Sequence, residues 1–158
     1  GLGAIGRRVA EIARAFGAKV IYYSASGAPA QEGYEQVDFE TLLTQSDIIS
    51  VHAPLNEHTE GLINSKAFEK MKSSCIFLNL GRGPIVDEQA LYNALVRNQI
   101  AAAGLDVLCK EPMSADNPLL KIKDSKRLLI TPHIAWASVE ARTHLMEIIH
   151  GQVKDFFA

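Results

Sequence analysis

Four residues in this chain have the types needed to hold a small anion and move a proton. His133 lies in TPHIAWAS, Asp106 and Glu111 in GLDVLCKEP, and Arg82 in NLGRGP. An imidazole titrates near neutrality and is the side chain most used for proton transfer. A carboxylate on its other ring nitrogen would fix the tautomer and favour the charged ring. A guanidinium between two glycines, following a buried strand, suits bidentate binding of a carboxylate. Glu111 and His133 stand 22 positions apart, so pairing them requires tertiary structure. Read locally, a histidine after a proline is equally a turn residue with a satisfied ring. Arg82 is equally a surface salt-bridge partner, and His52 in HAPL is open to the same two readings. His58, His144 and His150 read as surface or helix residues. Cys75 reads as core, and Cys109 as a partly exposed thiol with no base beside it.

A second chemistry is written at the start of the chain. Gly1, Gly3 and Gly6 in GLGAIG have the spacing G-x-G-x-x-G. Such a turn lets backbone N–H groups approach a pyrophosphate, and the helix behind it offers its N-terminal dipole to the same anion. Arg7 could add charge. Glycines of an ordinary tight turn would look the same. The spacing normally follows a buried strand, and none precedes it here. Ser24 closes the next strand, 18 positions after Gly6 and close to the roughly 20 at which a ribose-reading acid is expected. Serine cannot repel a 2′-phosphate, yet Ala25 and Ser26 supply no guanidinium to bind one.

The elements that must position these residues alternate between two periods. Ile5, Val9, Ile12 and Phe16 give a helix over Ala4 to Phe16. Lys19 to Tyr23 reads as a strand ended by SASGAPAQEG. Phe39 to Thr44 is a short helix and Asp47 to Val51 a strand. Asn64 or Ser65 caps a helix to Met71, and Cys75 to Leu80 is a strand. Asp87 caps a helix to about Arg97. Strands follow within Ile100 to Val107 and over Leu128 to Thr131. Ser138 caps a long helix with Leu145, Ile149, Val153 and Phe156 on one face. Alternating strands and helices predict an α/β fold, a Rossmann-type doubly wound parallel sheet lacking its first strand. Its ligand crevice lies at the carboxyl ends of the strands, where Gly1 to Gly6, Ser24, His52 to Pro54, Gly81 to Gly83, Asp106 and His133 fall.

Composition removes other classes of function. The chain has 158 residues, 22% charged and 47% hydrophobic, with net charge −2 and no basic cluster. That supplies no electrostatic footprint for nucleic acid or an anionic membrane. No apolar run approaches the roughly 18 residues of a membrane span. Two cysteines without a C-x-x-C give neither a disulfide framework nor a metal knuckle, so no metal and a cytoplasmic location are expected.

Taken together, GLGAIG, SVHAPLNEHT, LINSKAFEKMK, FLNLGRGPIVDEQAL, AGLDVLCKEP, NPLL and LLITPHIAWAS resemble the D-isomer-specific 2-hydroxyacid dehydrogenase family, in order and over most of the chain. The resemblance implies an oxidoreductase that passes hydride between a nicotinamide cofactor and a small D-2-hydroxy or 2-oxo acid, glycerate-, hydroxypyruvate- or phosphoglycerate-like. It implies a substrate-binding and catalytic Arg82, an acid/base His133 and its partner Glu111. Gly3, Ala4, Ile5 and Gly6 match the pyrophosphate loop, and Ser24 the ribose-reading position. His52, Ala53 and Pro54 match a loop beside the adenosine half, and Thr59 a further cofactor contact. Leu80, Gly81 and Asp106 match the lining of the nicotinamide, with Arg82 and His133 beside them. NAD(H) is favoured, with NADP(H) left open by Ser24. Trp136 stands where the family commonly has a small residue. Residues 1–137 form the NAD(P)-binding domain, incomplete at its start, and 138–158 a helix returning to a substrate domain. The full-length form is expected to be a homodimer, and this stretch alone inactive. The other reading is a nucleotide-sensing or assembly module of the same family without catalysis.

Overall fold

The computed structural model describes residues 1–157. It contains six short strands and five α-helices among them. The first helix, α1 (Ala4–Ala15), leads into β1 (Ile21–Tyr22), which pairs in parallel with β2 (Glu35–Gln36). Then follow α2 (Phe39–Gln45), β3 (Ile48–Val51), α3 (Ser65–Lys70), β4 (Ile76–Asn79), α4 (Glu88–Val96), β5 (Ala102–Leu105), β6 (Leu128–Ile130) and α5 (Val139–Phe157). The last four strands form one parallel sheet in the order β3-β4-β5-β6, so the α/β expectation holds. Each crossover carries the chain back to the same end, which gathers the loops after β3, β4, β5 and β6 along one rim.

The core lies between this sheet and α2, α3 and α4. Phe68, Phe77, Ile85, Leu91, Leu95 and Ile100 are fully or almost fully buried there, and Phe68 meets Phe77 edge to face at 5.6 Å. Asp38, Asn64 and Asp87 cap α2, α3 and α4 by accepting a first-turn N–H, which removes one orphan donor from each. The opposite face of the sheet is less covered. Ile48, Ile76 and Leu129 are exposed there, although continuous apolar strands predict burial on both faces.

Two helices also depart from the simplest reading. The stripe that reveals α1, Ile5, Val9, Ile12 and Phe16, is left exposed, and Gly6 and Ala10 are the residues the helix buries. Small residues let the helix sit close to Leu2 and Tyr22, which cluster with Ala10. No residue of α5 is buried, so Leu145, Ile149, Val153 and Phe156 form an uncovered apolar face. No described helix is long and apolar enough to cross a membrane.

The sheet is interrupted between β1 and β3. β1 and β3 belong to separate sheets. Between them lies a cavity of about 450 Å³ lined by residues that include Leu2, Val9, Val20, Tyr22, Ile48 and Ser50. Gly1 stands beside it and donates from its terminal nitrogen to the Tyr23 carbonyl at 3.0 Å. Its lining is mostly apolar, and β1 and β3 flank it as a slot. β2 went unread in the sequence because two polar residues carry no alternation. It is held instead by Tyr22, whose hydroxyl donates to Gln36 at 3.0 Å and accepts the Gln31 N–H at 2.9 Å.

Candidate active site

The loop after β6 carries His133 in the left-handed region, with φ of 54°. A non-glycine residue there is held against its own preference, at a cost of order 1–2 kcal/mol. Asp106, at the end of β5, is the main brace. Its carboxylate is almost fully buried and accepts from the Thr131 hydroxyl at 2.5 Å, the Ile134 N–H at 2.9 Å and the Ala135 N–H at 2.8 Å. Burial pushes this carboxyl up, but those donors outweigh it and hold it below the ordinary aspartate value. Both oxygens are thus engaged by the protein itself.

His133 Nδ1 lies 2.8 Å from Glu111 Oε2. The other Glu111 oxygen accepts the Leu108 N–H at 2.9 Å. The Leu108 N–H first, and His133 second, hold the Glu111 carboxyl below its ordinary value, so it is ionised near neutrality. An ionised carboxylate only accepts, so Nδ1 is the donor and Nε2 is left for another partner. The pair sits on a cavity of about 780 Å³ whose lining includes Leu108, Met113, Leu120, Ile130, Thr131 and Pro132. No local signal marks this contact, which forms across 22 residues when the loops after β5 and β6 meet; the family resemblance implies it.

Arg82 does not line that cavity; it stands on the neighbouring loop after β4. Asn79, buried at the end of β4, shapes the loop from within by accepting the Gly81 N–H at 3.1 Å and donating to the Arg82 carbonyl at 3.0 Å. The Arg82 guanidinium donates to the Gly81 carbonyl at 2.8 Å and carries no carboxylate partner among the described residues. Gly83 then packs directly on the loop of Glu111. A methyl group there would meet the Leu108 carbonyl carbon and oxygen at 2.0 Å. Backbone cannot yield as a side chain does, so Gly83→Ala forces the two loops apart. We expect it to cost about 3 kcal/mol and lower Tm by about 6–12 °C. An unchanged melt of the Gly83→Ala protein would show that the loops are not locked together.

Glu88 is a residue the sequence reading missed. It accepts from the Cys109 N–H at 2.7 Å and from Asn117 at 2.8 Å, tying α4 to the loop that bears Glu111. Burial first, then the Glu88 charge, push the Cys109 thiol up to about 11. It stays protonated near neutrality and is no nucleophile.

The glycine loop is built differently from the other helix starts. Gly3 occupies the N-cap of α1 with no side-chain hydrogen bond, and no acid stands in the first turn. The first-turn N–H groups are therefore left for an outside acceptor. A methyl group at Gly6 would meet the Gly1 carbonyl oxygen at 2.3 Å, so the turn needs glycine there. One at Gly3 would meet nothing within 4 Å, which leaves open space beside the helix start. Ala4 begins α1 and Ile5 is exposed. Ser24 lies just past β1 with its hydroxyl 3.1 Å from that of Ser26.

His52 follows β3 and its Nε2 lies 2.8 Å from the Ser50 hydroxyl, with burial holding the ring below the ordinary histidine value. Ala53 packs on the main core, and its carbonyl oxygen lies beside Gly81. Thr59 is buried, donating to the Pro54 carbonyl at 2.7 Å and accepting the Asn56 N–H at 2.9 Å. Its hydroxyl closes this loop. Leu80 is partly exposed at the end of β4. Two groups thus emerge along one rim: the glycine turn with Ser24 and His52, and Asp106, Glu111 and His133 with the Arg82 loop beside them. No group of three or more His, Cys, Asp or Glu among the described residues could hold a metal.

The chain is similar to known proteins in sequence and fold. Residues 1–135 match the NAD binding domain of the D-isomer specific 2-hydroxyacid dehydrogenases. The chain is 45% identical over 158 residues to a hydroxypyruvate reductase of Blautia hydrogenotrophica, covering 99% of this chain and 48% of that protein. A D-lactate dehydrogenase of Aquifex aeolicus, solved with NAD and lactic acid, superposes with a TM-score of 0.90 at 32% identity, over 99% of this chain and 51% of the other. An NADPH-dependent glyoxylate/hydroxypyruvate reductase of Sinorhizobium meliloti, solved with NADP and malonate, gives 0.90 at 30% identity, over 100% and 48%. The chain spans about half the length of these relatives. It belongs to the D-isomer specific 2-hydroxyacid dehydrogenase family and carries that family's NAD-binding domain.

Proposed function

We propose that the protein containing this chain interconverts a small 2-oxo acid and its D-2-hydroxy acid with a nicotinamide cofactor. The observation that carries the reading is the 2.8 Å contact between His133 Nδ1 and Glu111 on the rim of an open cavity. A binding module would have no need of a proton donor held in this way. The cofactor's pyrophosphate fits the first turn of α1, where Gly3, Ala4, Ile5 and Gly6 offer uncapped N–H groups. Ser24 stands toward its ribose, His52, Ala53, Pro54 and Thr59 toward the adenosine half, and Leu80, Gly81 and Asp106 toward the nicotinamide. A bound nicotinamide supplies or accepts the hydride at the substrate's C2.

The chain's own residues do the rest. Arg82, unpaired with any carboxylate among the described residues, binds the substrate carboxylate and draws charge from the adjacent carbonyl oxygen. In reduction, His133 gives that oxygen its Nε2 proton, and Glu111 stabilises the imidazolium beforehand. In oxidation, the neutral ring takes the hydroxyl proton back. We place NAD(H) ahead of NADP(H), because neither Ala25 nor Ser26 offers a cation for a 2′-phosphate. Residues 1–137 act as the cofactor unit, and α5 lays its apolar face on a second, substrate-binding domain. The full protein works as a cytoplasmic homodimer.

A steady-state assay of the full-length protein on small 2-oxo acids, with NADH and with NADPH, tests this reading. Turnover on at least one acid, faster with NADH, is expected. Cofactor binding without turnover on any acid would overturn the catalytic reading, and preference for NADPH would overturn the cofactor choice.

A further inference from the structure

The His133 turn has one more partner, and nothing in the reading above uses it. The indole N–H of Trp136 donates to the His133 carbonyl at 2.8 Å. A residue at φ of 54° directs its carbonyl away from the ladders of helix and strand, so it must find a donor elsewhere. The N–H of His133 is already engaged by the Thr131 carbonyl at 3.0 Å. Trp136 therefore closes the other end of the same peptide pair. Asp106 holds the flanks of the turn, and Trp136 holds the histidine itself.

Core packing does not explain this tryptophan, because the residue is 53% exposed. A serine, alanine or glycine at this position could not reach back three residues with an N–H of this kind. We propose that Trp136 is a positioning residue, whose indole N–H locks the His133 backbone so that the ring stays seated on Glu111. The inference rests on the acid/base role given to His133, and it makes the orientation of that ring depend on a side chain that touches neither carboxylate.

Trp136→Phe in the full-length protein keeps an aromatic ring and removes the N–H. Loss of one such hydrogen bond is worth about a fivefold fall in kcat, with KM values for cofactor and 2-oxo acid little changed. Long-range proton–nitrogen NMR reads the tautomer directly. In the parent the neutral His133 carries its proton on Nδ1, and in Trp136→Phe a second population with the proton on Nε2 appears. Combined with Glu111→Gln, Trp136→Phe adds little further loss if both act through one ring. An unchanged tautomer would overturn the proposal, as would losses that multiply in the double variant. If the parent protein reduces no 2-oxo acid, the catalytic reading fails, and the tautomer measurement still decides whether Trp136 holds His133.

Discussion

His133→Ala in the full-length protein is expected to lower kcat by about 10³-fold while cofactor binding is kept. General acid–base catalysis by one positioned group contributes about 10²–10⁴-fold. Neither neighbouring carboxylate is placed to replace this one: Asp106 has both oxygens engaged by Thr131, Ile134 and Ala135, and the Glu111 carboxyl is held low and ionised. Cofactor affinity should survive, because the glycine turn of α1 lies on a different loop. Glu111→Gln should lose less, since an amide oxygen can still accept from Nδ1 but brings no charge. The pH dependence has a definite sign. The folded value of Glu111 lies below its ordinary one, so the pairing is fully present above the ordinary carboxylate range. It is lost as pH falls through the depressed value. Turnover of His133→Ala equal to the parent would remove histidine from the mechanism.

The second large effect concerns the slot between β1 and β3. Two strand edges face each other across about 450 Å³ with their ladders unpaired. Backbone groups left without partners, with apolar side chains such as Ile48 exposed beside them, destabilise both halves of the sheet. Residues 1–158 by themselves are therefore expected to melt over a broad range and to show no turnover. A strand of about four residues, near 13 Å at about 3.3 Å per residue, would pair with both edges. Because Gly1 bonds to Tyr23 at the carboxyl end of β1, a strand joined to it runs parallel to both. Placing four β-branched residues ahead of Gly1 should sharpen the melt and stabilise the fold by at least about 3 kcal/mol, from the burial of one or two large side chains. A proline-interrupted extension should do neither. A sharp cooperative melt of residues 1–158 without any extension would contradict this account.

What the sequence could carry depended on range. Local signals survived intact: Asn64 and Asp87 cap the helices they were read to cap, and the apolar runs IISV and IFLN are strands. Orientation was less legible. The stripe on α1 has the right period, yet it is left exposed, and Gly6 and Ala10 make the closer contact. The contact between Glu111 and His133 joins the loops after two neighbouring strands, β5 and β6, and only the ordered set of family motifs pointed to it. The left-handed turn at His133 has no sequence mark of its own. The donors that hold it come from Thr131, Ile134, Ala135 and Trp136, all inside one motif, but directed by Asp106 from the neighbouring strand. Asn79 and Glu88 went unread for the same reason: a polar residue that bonds within the fold shows its purpose only when its partners are known.

The central claim is that this domain holds a nicotinamide beside a proton donor at His133. Reduced cofactor deuterated at the nicotinamide C4, given with a small 2-oxo acid to the full-length protein, tests it most directly. The account predicts deuterium at C2 of a single product enantiomer, the D-2-hydroxy acid, and loss of that product in His133→Ala. Cofactor bound by the protein, with no deuterium delivered to any 2-oxo acid, would contradict it.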